Sequence, residues 1–319
     1  MSLASDLYTL VTKGFQYSAN WETVKELPVF AHDLLLGATR YSKWQNRDYR
    51  YADLHVHIKD TESMRKVVDE ASKRVNIMTL VTRTIESNKG HLSFEKAIDK
   101  LEEEKVEHQK LGNKVVKAYS GINILYIIRA TEVYVKENQG VVIVGNDKEF
   151  EGDKLTLDDA IKASEDMGAF WFLDHPFSIG VPKIAFRYPT DEEMKMREGW
   201  FEKYNPVIEV GNHQNTLWMY PSNVLARRMA RKHELAGIAN SDTHFRVKEI
   251  GLSRTGIPRE FFNGDSEETV LRSLQTVFSR EHKDQLKIES GYSSLWSFGT
   301  YMILPTVFPK LAKKMGVRK

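Results

Sequence analysis

The sequence predicts an α/β fold built on a parallel sheet or barrel, and three observations carry this prediction. Short apolar, β-rich runs alternate with longer segments of helical periodicity from residue 51 onward. Such alternation is typical of parallel sheets covered by helices. Residues with metal-binding side chains follow several of the runs, and the carboxyl ends of parallel strands are where such folds place their active sites.

The elements can be read in order along the chain. Strand-like runs cover residues 52–58, 76–82, 126–135, 141–144, 169–173, 207–210 and 236–240. Helical patterns cover residues 61–73, 93–111, 156–167, 221–233 and 266–278. Thr156 and Asp159 form a capping-box pattern, and Gly168 stands where that helix would end.

We divide the chain into three parts. Residues 1–49 hold apolar and aromatic residues without clear alternation, and we expect an N-terminal helical extension packed on the barrel. Residues 50–290 would form the metal-dependent hydrolase domain. Residues 291–319 form an apolar and then basic tail. This tail would pack on the domain or make weak contact with an anionic membrane surface.

Composition restricts the class of protein. Hydrophobic residues make up 41% and charged residues 28% of 319 residues, an ordinary globular balance. The net charge of +2 and the lack of a long basic run argue against nucleic acid as a substrate. There is no cysteine, so any metal must be bound by His, Asp and Glu. We find no signal peptide and no apolar stretch of about 18 residues, and we expect a cytoplasmic protein.

A His-x-His pair, His55 and His57, lies on the first apolar run. Residues two apart on a strand face the same side, so both imidazoles can reach one metal ion. Asp53, on the same face, is a candidate acceptor that would fix an imidazole tautomer. Such a pair alone is more often structural or on the surface, so its weight depends on the residues that follow.

Further residues of metal-binding type come near the ends of later runs. They are Glu132, His175, Glu209, His213, Asp242 and His244. Each has an ordinary alternative: Glu132 could pair with Arg129 or Lys136, a histidine could be a core residue, and Asp242 could cap a helix. Together, such residues at the ends of separate strands are typical of a cluster of divalent cations bridged by a carboxylate.

These motifs resemble those of the PHP (polymerase and histidinol phosphatase) superfamily of metal-dependent phosphoesterases. The matching segments, in the family's order, are Asp53-Leu-His-Val-His57, Thr131-Glu132, Asp174-His175-Pro176, Ile208-Glu209-Val210 with Asn212, and Asn240-Ser-Asp-Thr-His244. The resemblance covers about residues 50–260. It implies a distorted (β/α)7 TIM-like barrel.

The resemblance also implies a set of metal ligands. The first metal would be bound by His55, His57, Glu132 and Asp242. Glu132 would bridge to a second metal bound by His175 and His213, and His244 would belong to a third site. The expected cofactors are two or three divalent metal ions, which would be zinc, manganese or iron.

One segment departs from the family pattern, in which the second strand usually ends in Thr-Asp-His. Here Arg83 and Thr84 stand in place of Asp and His. The third site therefore loses ligands, for which Asp60 and His91 are candidate replacements. Arg83 could instead bind a substrate phosphate, with Arg246 as a second candidate, because a guanidinium fork suits phosphate oxygens. The alternative is that Arg83 is an ion-paired surface residue.

The predicted function is hydrolysis of a small phosphorylated substrate by a metal-bridging hydroxide. His244 or His213 would protonate the leaving oxygen. One alternative is hydrolysis of a C–N bond by the same cluster, as in related barrels. Another is a degenerate PHP module that binds a partner or metal without turnover. The oligomeric state is left open by the sequence.

Overall fold

The computed structural model describes residues 3–39, 46–84, 90–147, 150, 155–181, 185–244 and 246–300. The strands of these residues are β1 (Tyr49–Asp53), β2 (Ile77–Arg83), β3 (His108–Lys110), β4 (Val115–Ser120), β5 (Asn123–Val135), β6 (Gln139–Val144), β7 (Phe170–Leu173), β8 (Ile179–Val181), β9 (Ala185–Arg187), β10 (Val207–Asn212), β11 (Gly237–Asn240), β12 (Arg254–Pro258) and β13 (Lys287–Glu289). The helices are α1 (Leu3–Ser18), α2 (Trp21–Leu36), α3 (Met64–Ala71), α4 (Phe94–Glu103), α5 (Leu157–Asp166), α6 (Asp191–Tyr204), α7 (Pro221–His233), α8 (Glu267–Val277) and α9 (Leu295–Phe298).

The strands form one large sheet that curls into a nearly closed barrel, and the predicted α/β barrel fold is confirmed. The order is β11-β10-β7-β6-β5-β2-β1-β12-β13, and the β3–β4 hairpin joins β5. Neighbours β1, β2 and β5 are parallel, as are β7, β10 and β11. Strand β6 is antiparallel to both β5 and β7. The sheet is therefore mixed, but the six parallel strands end at the same rim.

Strand β11, at one end of the strand order, returns to β1 near the rim. The Leu54 backbone N–H donates to Asn240 Oδ1 at 2.7 Å. The His57 N–H donates to Thr243 O at 2.9 Å, so the chain after β1 pairs with the chain after β11. Side chains on the ends of these strands consequently face one cavity.

The interior of the barrel is apolar and closed at the end opposite the rim. One buried cluster takes side chains from β1, β2, β5, β7, β10 and β11 and from α8. Helix α8 contacts the amino-terminal ends of the strands, where Ile77, Phe170 and Val207 lie in the same cluster. The hydrophobic effect thus fixes the bottom of the barrel and leaves the rim to polar residues.

The predicted elements differ from the structure mainly at their ends. The helix predicted over residues 93–111 ends at Glu103, and its last residues belong to β3. Lys105 has φ of 52°, a left-handed conformation that stops an α-helix. Helix α6 and the strands β3, β4, β12 and β13 were absent from the predicted elements.

The structure describes the predicted N-terminal extension but only a small part of the predicted C-terminal tail. Residues 3–36 form α1 and α2, as expected for a helical extension. Most of the predicted apolar and basic tail, from residue 301 onward, lies outside the described residues. Within the described part of the chain, no helix is both long and apolar enough to cross a membrane.

Candidate metal centre

The His-x-His pair lies just beyond β1 rather than inside a continuous strand. Strand β1 ends at Asp53, and Val56 makes a single parallel bridge to Thr243. The extended backbone still directs both imidazoles to the same place: His55 Nε2 and His57 Nε2 lie 3.1 Å apart. Both side chains are buried. The pair therefore offers two nitrogens to one point at the rim.

Carbonyl groups fix which nitrogen of two rings is free to bind a metal. His57 Nδ1 lies 3.0 Å from Val81 O, and His175 Nδ1 lies 3.1 Å from Ser178 O. A carbonyl only accepts hydrogen bonds, so each Nδ1 must carry the proton. Each Nε2 then keeps its lone pair for a cation.

Glu209 orients the site from behind. Its carboxylate lies 3.5 Å from His55 Nδ1 and accepts hydrogen bonds from the His175 backbone N–H at 2.9 Å. The side-chain amides of Asn212 and Asn240 also donate to it, at 2.8 and 2.9 Å. Glu209 therefore lies beside Nδ1 of His55, and Nε2 of the same ring faces His57 and Asp242.

Asp53 was expected to fix an imidazole tautomer, but backbone carbonyl groups and Glu209 face the Nδ1 atoms instead. The two carboxylate oxygens of Asp53 accept hydrogen bonds from the backbone N–H groups of Ser241 and Gly251, at 2.9 and 2.8 Å. Asp53 thus ties β1 to the loops around β11 and does not orient an imidazole. Burial raises the pKa of Asp53 to about 7, although these hydrogen bonds lower it.

Two predicted carboxylate ligands face the histidine pair. Glu132 Oε2 lies 3.3 Å from His57 Nε2. Asp242 Oδ1 lies 3.5 Å from His55 Nε2 and 2.9 Å from His244 Nε2. Burial raises the pKa of Asp242, but the positive fields of His55 and His244 lower it further, so the net pKa is below its usual range. Both carboxylates are held as anions.

Asp174 belongs to the same cluster and was missed as a ligand in the sequence. It is fully buried, and its Oδ2 lies 3.3 Å from His175 Nε2. Burial raises its pKa to about 7. Gly140 on β6 makes room for it, because a Cβ at residue 140 would collide with the Asp174 carboxylate. Its signal was available, since it stands beside His175 at the end of the same run.

These side chains fit a site for divalent cations. The ligand atoms of His55, His57 and Asp242 lie within 4.8 Å of one another, and so do those of His55, Glu132 and Asp174. Asp174 Oδ2 and Asp242 Oδ1 are buried without a hydrogen-bond donor. A buried set of carboxylates and imidazole lone pairs has many acceptors and few donors, a donor set that divalent cations satisfy.

A third group consists of His57, His91 and His244, again with ligand atoms within 4.8 Å. His57 and His244 are stacked, with ring centroids 4.4 Å apart. Burial and the charge of His244 lower the pKa of His91 to about 4, so its ring is neutral at pH 7. In addition, the buried Nδ1 of His91 has no hydrogen-bond partner. His57 Nε2 can serve only one ion, so this group competes with the first. Asp60, the other replacement considered, is exposed.

The structure does not bring every predicted residue to this cluster. His213 is buried apart from these groups, with Nδ1 3.2 Å from Gly291 O. Arg246 lies half-buried beyond His244. Arg83 does face the cluster: its Nε donates to Glu132 Oε2 at 3.1 Å, because Arg83 on β2 is the parallel neighbour of Glu132 on β5.

One family profile matches part of the chain. Residues 221–276, which include α7, β11, the Asp242–His244 loop and most of α8, match a family profile described as PHP-associated. None of the curated proteins matches the chain.

Three solved structures have similar folds. A two-domain protein from Bacteroides vulgatus containing a predicted PHP-like metal-dependent phosphoesterase is 17% identical, with a TM-score of 0.46, over 74% of this chain and 66% of that chain. PsfC from Pseudomonas syringae is 13% identical, with a TM-score of 0.48, over 77% and 91%. A lesion-specific endonuclease, PfuEndoQ from Pyrococcus furiosus, is 12% identical, with a TM-score of 0.45, over 79% and 61%.

The profile match covers one part of the candidate metal centre. The matched segment carries Asp242 and His244, which stand at the same rim as the His-x-His pair. This part of the chain is therefore similar to a PHP-associated domain.

Proposed function

We propose that the chain is a metal-dependent phosphoesterase. The observation that carries the proposal is the buried meeting of His55, His57 and Asp242, whose ligand atoms lie within 4.8 Å of one another. Imidazole and carboxylate ligands suit zinc, manganese and iron. Divalent cations bound here would supply a hydroxide near neutral pH and offset charge on phosphate oxygens.

Two ligand sets account for the geometry. The first comprises His55, His57 and Asp242. The second comprises Asp174 and His175, and Glu132 stands between the two sets, near His57 Nε2. We assign Asp174 to the second set, where the resemblance implied His213, because Asp174 is in contact with His175.

Arg83 is proposed to hold the substrate phosphate. Its side chain is 38% exposed, while its Nε is anchored to Glu132. Glu132 and Asp242 raise its pKa, so the guanidinium is always charged. Anchoring through Nε leaves the two terminal NH2 groups to form a fork for two phosphate oxygens. Arg83 would thus supply the positive charge that a third cation would otherwise bring.

His244 is the preferred proton donor to the leaving oxygen. Its side chain is 16% exposed, and the contact between its Nε2 and Asp242 Oδ1 orients the ring. His213 is buried, and its Nδ1 faces a backbone carbonyl. A group at the open side of the cluster can meet a leaving group, whereas a buried ring cannot.

Metal analysis and hydrolysis assays test the proposal together. Purified without chelator, the protein should contain at least one equivalent of transition metal per chain by mass spectrometry. It should hydrolyse phosphomonoesters or phosphodiesters. His55→Ala should remove metal and activity together, whereas His282→Ala, a histidine outside the site, should leave both unchanged.

Other outcomes would favour the alternatives. Hydrolysis of a cyclic amide without phosphoester hydrolysis would favour a C–N hydrolase. Absence of metal, with no rescue by manganese or zinc, would favour a binding module. The assay should also include a DNA duplex with an abasic lesion, because one of the similar solved structures is a complex of Endonuclease Q with such a duplex. A small phosphorylated molecule is the substrate that the low net charge favours.

A further inference from the structure

The N-terminal helices expose an unusual number of large apolar side chains. On α1 the exposed residues recur at helical spacing and form one stripe. We call the exposed apolar side chains of both helices the outer face: Leu7, Tyr8, Val11 and Phe15 on α1, and Trp21, Val24, Leu27, Val29, Leu35 and Leu36 on α2. Phe15 is 79% exposed. Contiguous exposed apolar surface marks an interaction site.

The charged side chains of α1 point the other way. Asp6 is buried, and its carboxylate lies 3.1 Å from Arg187 Nε. Lys13 pairs with Asp191 at the start of α6. The polar side of α1 is therefore the side that packs on the rest of the domain.

Helix α2 repeats this arrangement. Glu26 lies 2.6 Å from Arg227, and Glu22 lies 2.8 Å from Arg231, both on α7. A helix on the surface of a water-soluble domain normally has its apolar stripe inward and its charges outward. In α1 this polarity is reversed. In α2 Asp33 is buried and Glu26 pairs with Arg227, while Lys25 is exposed beside Trp21, so the outer face is largely apolar with one exposed basic residue.

The C-terminal end of the described chain joins the same region. The Tyr292 backbone N–H donates to Asp33 Oδ2 at 3.0 Å, and the Tyr292 hydroxyl donates to Glu26 at 2.9 Å. Helix α9 follows within three residues and exposes Leu295 and Trp296, the latter by 74%. Helix α9 therefore presents exposed apolar side chains, and it follows closely on Tyr292, which is hydrogen-bonded to α2.

The charge of the adjoining sequence indicates what the outer face meets. Residues 301–319 continue from this point with five basic residues and no acidic one. Basic residues beside apolar side chains complement the acidic head groups and acyl chains of a bilayer.

We propose that the outer face and α9 dock the protein on the surface of an anionic lipid bilayer. Aromatic and leucine side chains of α1, α2 and α9 enter the head-group region, and the basic charge of the adjoining sequence favours acidic lipid. No helix in the described residues is long and apolar enough to cross a bilayer. This docking is independent of the phosphoesterase proposal.

Sedimentation with vesicles tests the proposal on the full chain. The protein should sediment with phosphatidylcholine vesicles that contain phosphatidylserine, much less with phosphatidylcholine alone, and less as NaCl is raised to about 0.5 M. Val11→Gln/Phe15→Gln should weaken binding at least about tenfold. Lys310→Gln/Lys313→Gln/Lys314→Gln should weaken it about fivefold per charge removed. Ile122→Gln, at an exposed apolar residue outside the outer face, is the matched control.

Three results would overturn the proposal. The first is no sedimentation with either vesicle. The second is equal binding by wild type and the Val11→Gln/Phe15→Gln variant. The third is a dimer, measured by light scattering, that this variant dissociates while lipid binding is absent. Circular dichroism of each variant verifies that α1 remains folded, so that a loss of binding reports the surface itself.

Discussion

Two buried clusters of charged residues differ in how completely they satisfy themselves. In the first, at the rim, carboxylates and imidazole lone pairs face each other and several oxygens lack donors. The second surrounds Arg254: its Nε donates to Glu289 at 2.8 Å, its Nη1 donates to Arg74 O, and its guanidinium lies 4.2 Å from the Tyr51 ring centroid. Lys287 completes the pairing with Glu289 at 2.8 Å.

The contrast teaches how to separate a functional cluster from a structural one. Around Arg254, the Glu289 carboxylate is paired with Arg254 and Lys287 and accepts a hydrogen bond from the Tyr51 hydroxyl, so the chain itself compensates the cost of burying this charge. At the rim, Asp174 and Asp242 remain short of donors, so an added cation is required for the same balance. A buried charged group alone does not indicate a functional site. Buried charged groups that lack hydrogen-bond or ion-pair partners do.

The largest expected effect is that of Asp242→Asn. Asparagine keeps the shape of the side chain but removes the negative charge that a cation needs. Metal content measured by mass spectrometry should fall below one equivalent, and kcat/KM for a phosphoester should fall by about a thousandfold. Full metal content in this variant would remove Asp242 from the ligand set.

Glu289→Gln makes the same chemical change in the cluster around Arg254. It should lower the stability of the fold and leave metal binding intact, the opposite of Asp242→Asn. It leaves the Arg254 guanidinium buried beside a neutral amide, and the free energy of unfolding should fall by about 3–5 kcal/mol. Metal content should be unchanged. Urea denaturation of this variant and of Asp242→Asn, both without metal, separates the two clusters. A Glu289→Gln variant as stable as wild type would show that this pairing contributes little.

A smaller effect is expected for Arg83→Lys. Lysine keeps the positive charge but loses the fork that is proposed to bind two phosphate oxygens. KM for a phosphoester should rise about tenfold while metal content stays constant. If KM is unchanged and metal content falls, Arg83 supports Glu132 and does not contact substrate.

The smallest expected effect is on the pH dependence of stability, through Glu289 in the cluster around Arg254. Burial raises the pKa of Glu289, but Lys287 and Arg254 lower it further, and the net pKa lies below the ordinary value of 4.5. A lowered folded-state pKa stabilises the fold above the unfolded-state pKa, and this stabilisation is lost as pH falls through the folded-state pKa. Wild type should therefore lose stability from this group on acidification, whereas Glu289→Gln should not. The difference in unfolding free energy between wild type and Glu289→Gln should shrink accordingly.

The sequence predicted the centre of the site better than its edge. His55, Glu132 and Asp242 could be found because each stands at or beyond the end of the parallel pairing of its strand, where the fold itself brings side chains together. Asp174 was missed because strand periodicity places it and His175 on opposite faces. His175 has φ of 22°, a local turn that periodicity does not encode.

The directions of the strands were harder to predict from the sequence, although the length of one connection indicated an antiparallel pair. Only five residues, 136–140, separate the predicted runs 126–135 and 141–144, which is too few for a parallel crossover. This spacing requires the hairpin that makes β6 antiparallel. Helix α6 was likewise missed although Thr190 and Glu193 form a capping box, because Pro189 and the many charges of the segment obscure its apolar stripe.

The glycine at residue 140 links the topology to the site. Strand β6 separates β5 from β7 by two strand spacings, about 10 Å in total, and the absence of a side chain at Gly140 lets the Asp174 carboxylate lie in the space above that strand. Positions 140 and 174 are therefore coupled by volume, independently of any metal. Related chains that carry a larger residue at the first position should have lost the acid at the second, so covariation between these two columns would record which relatives still assemble the second ligand set.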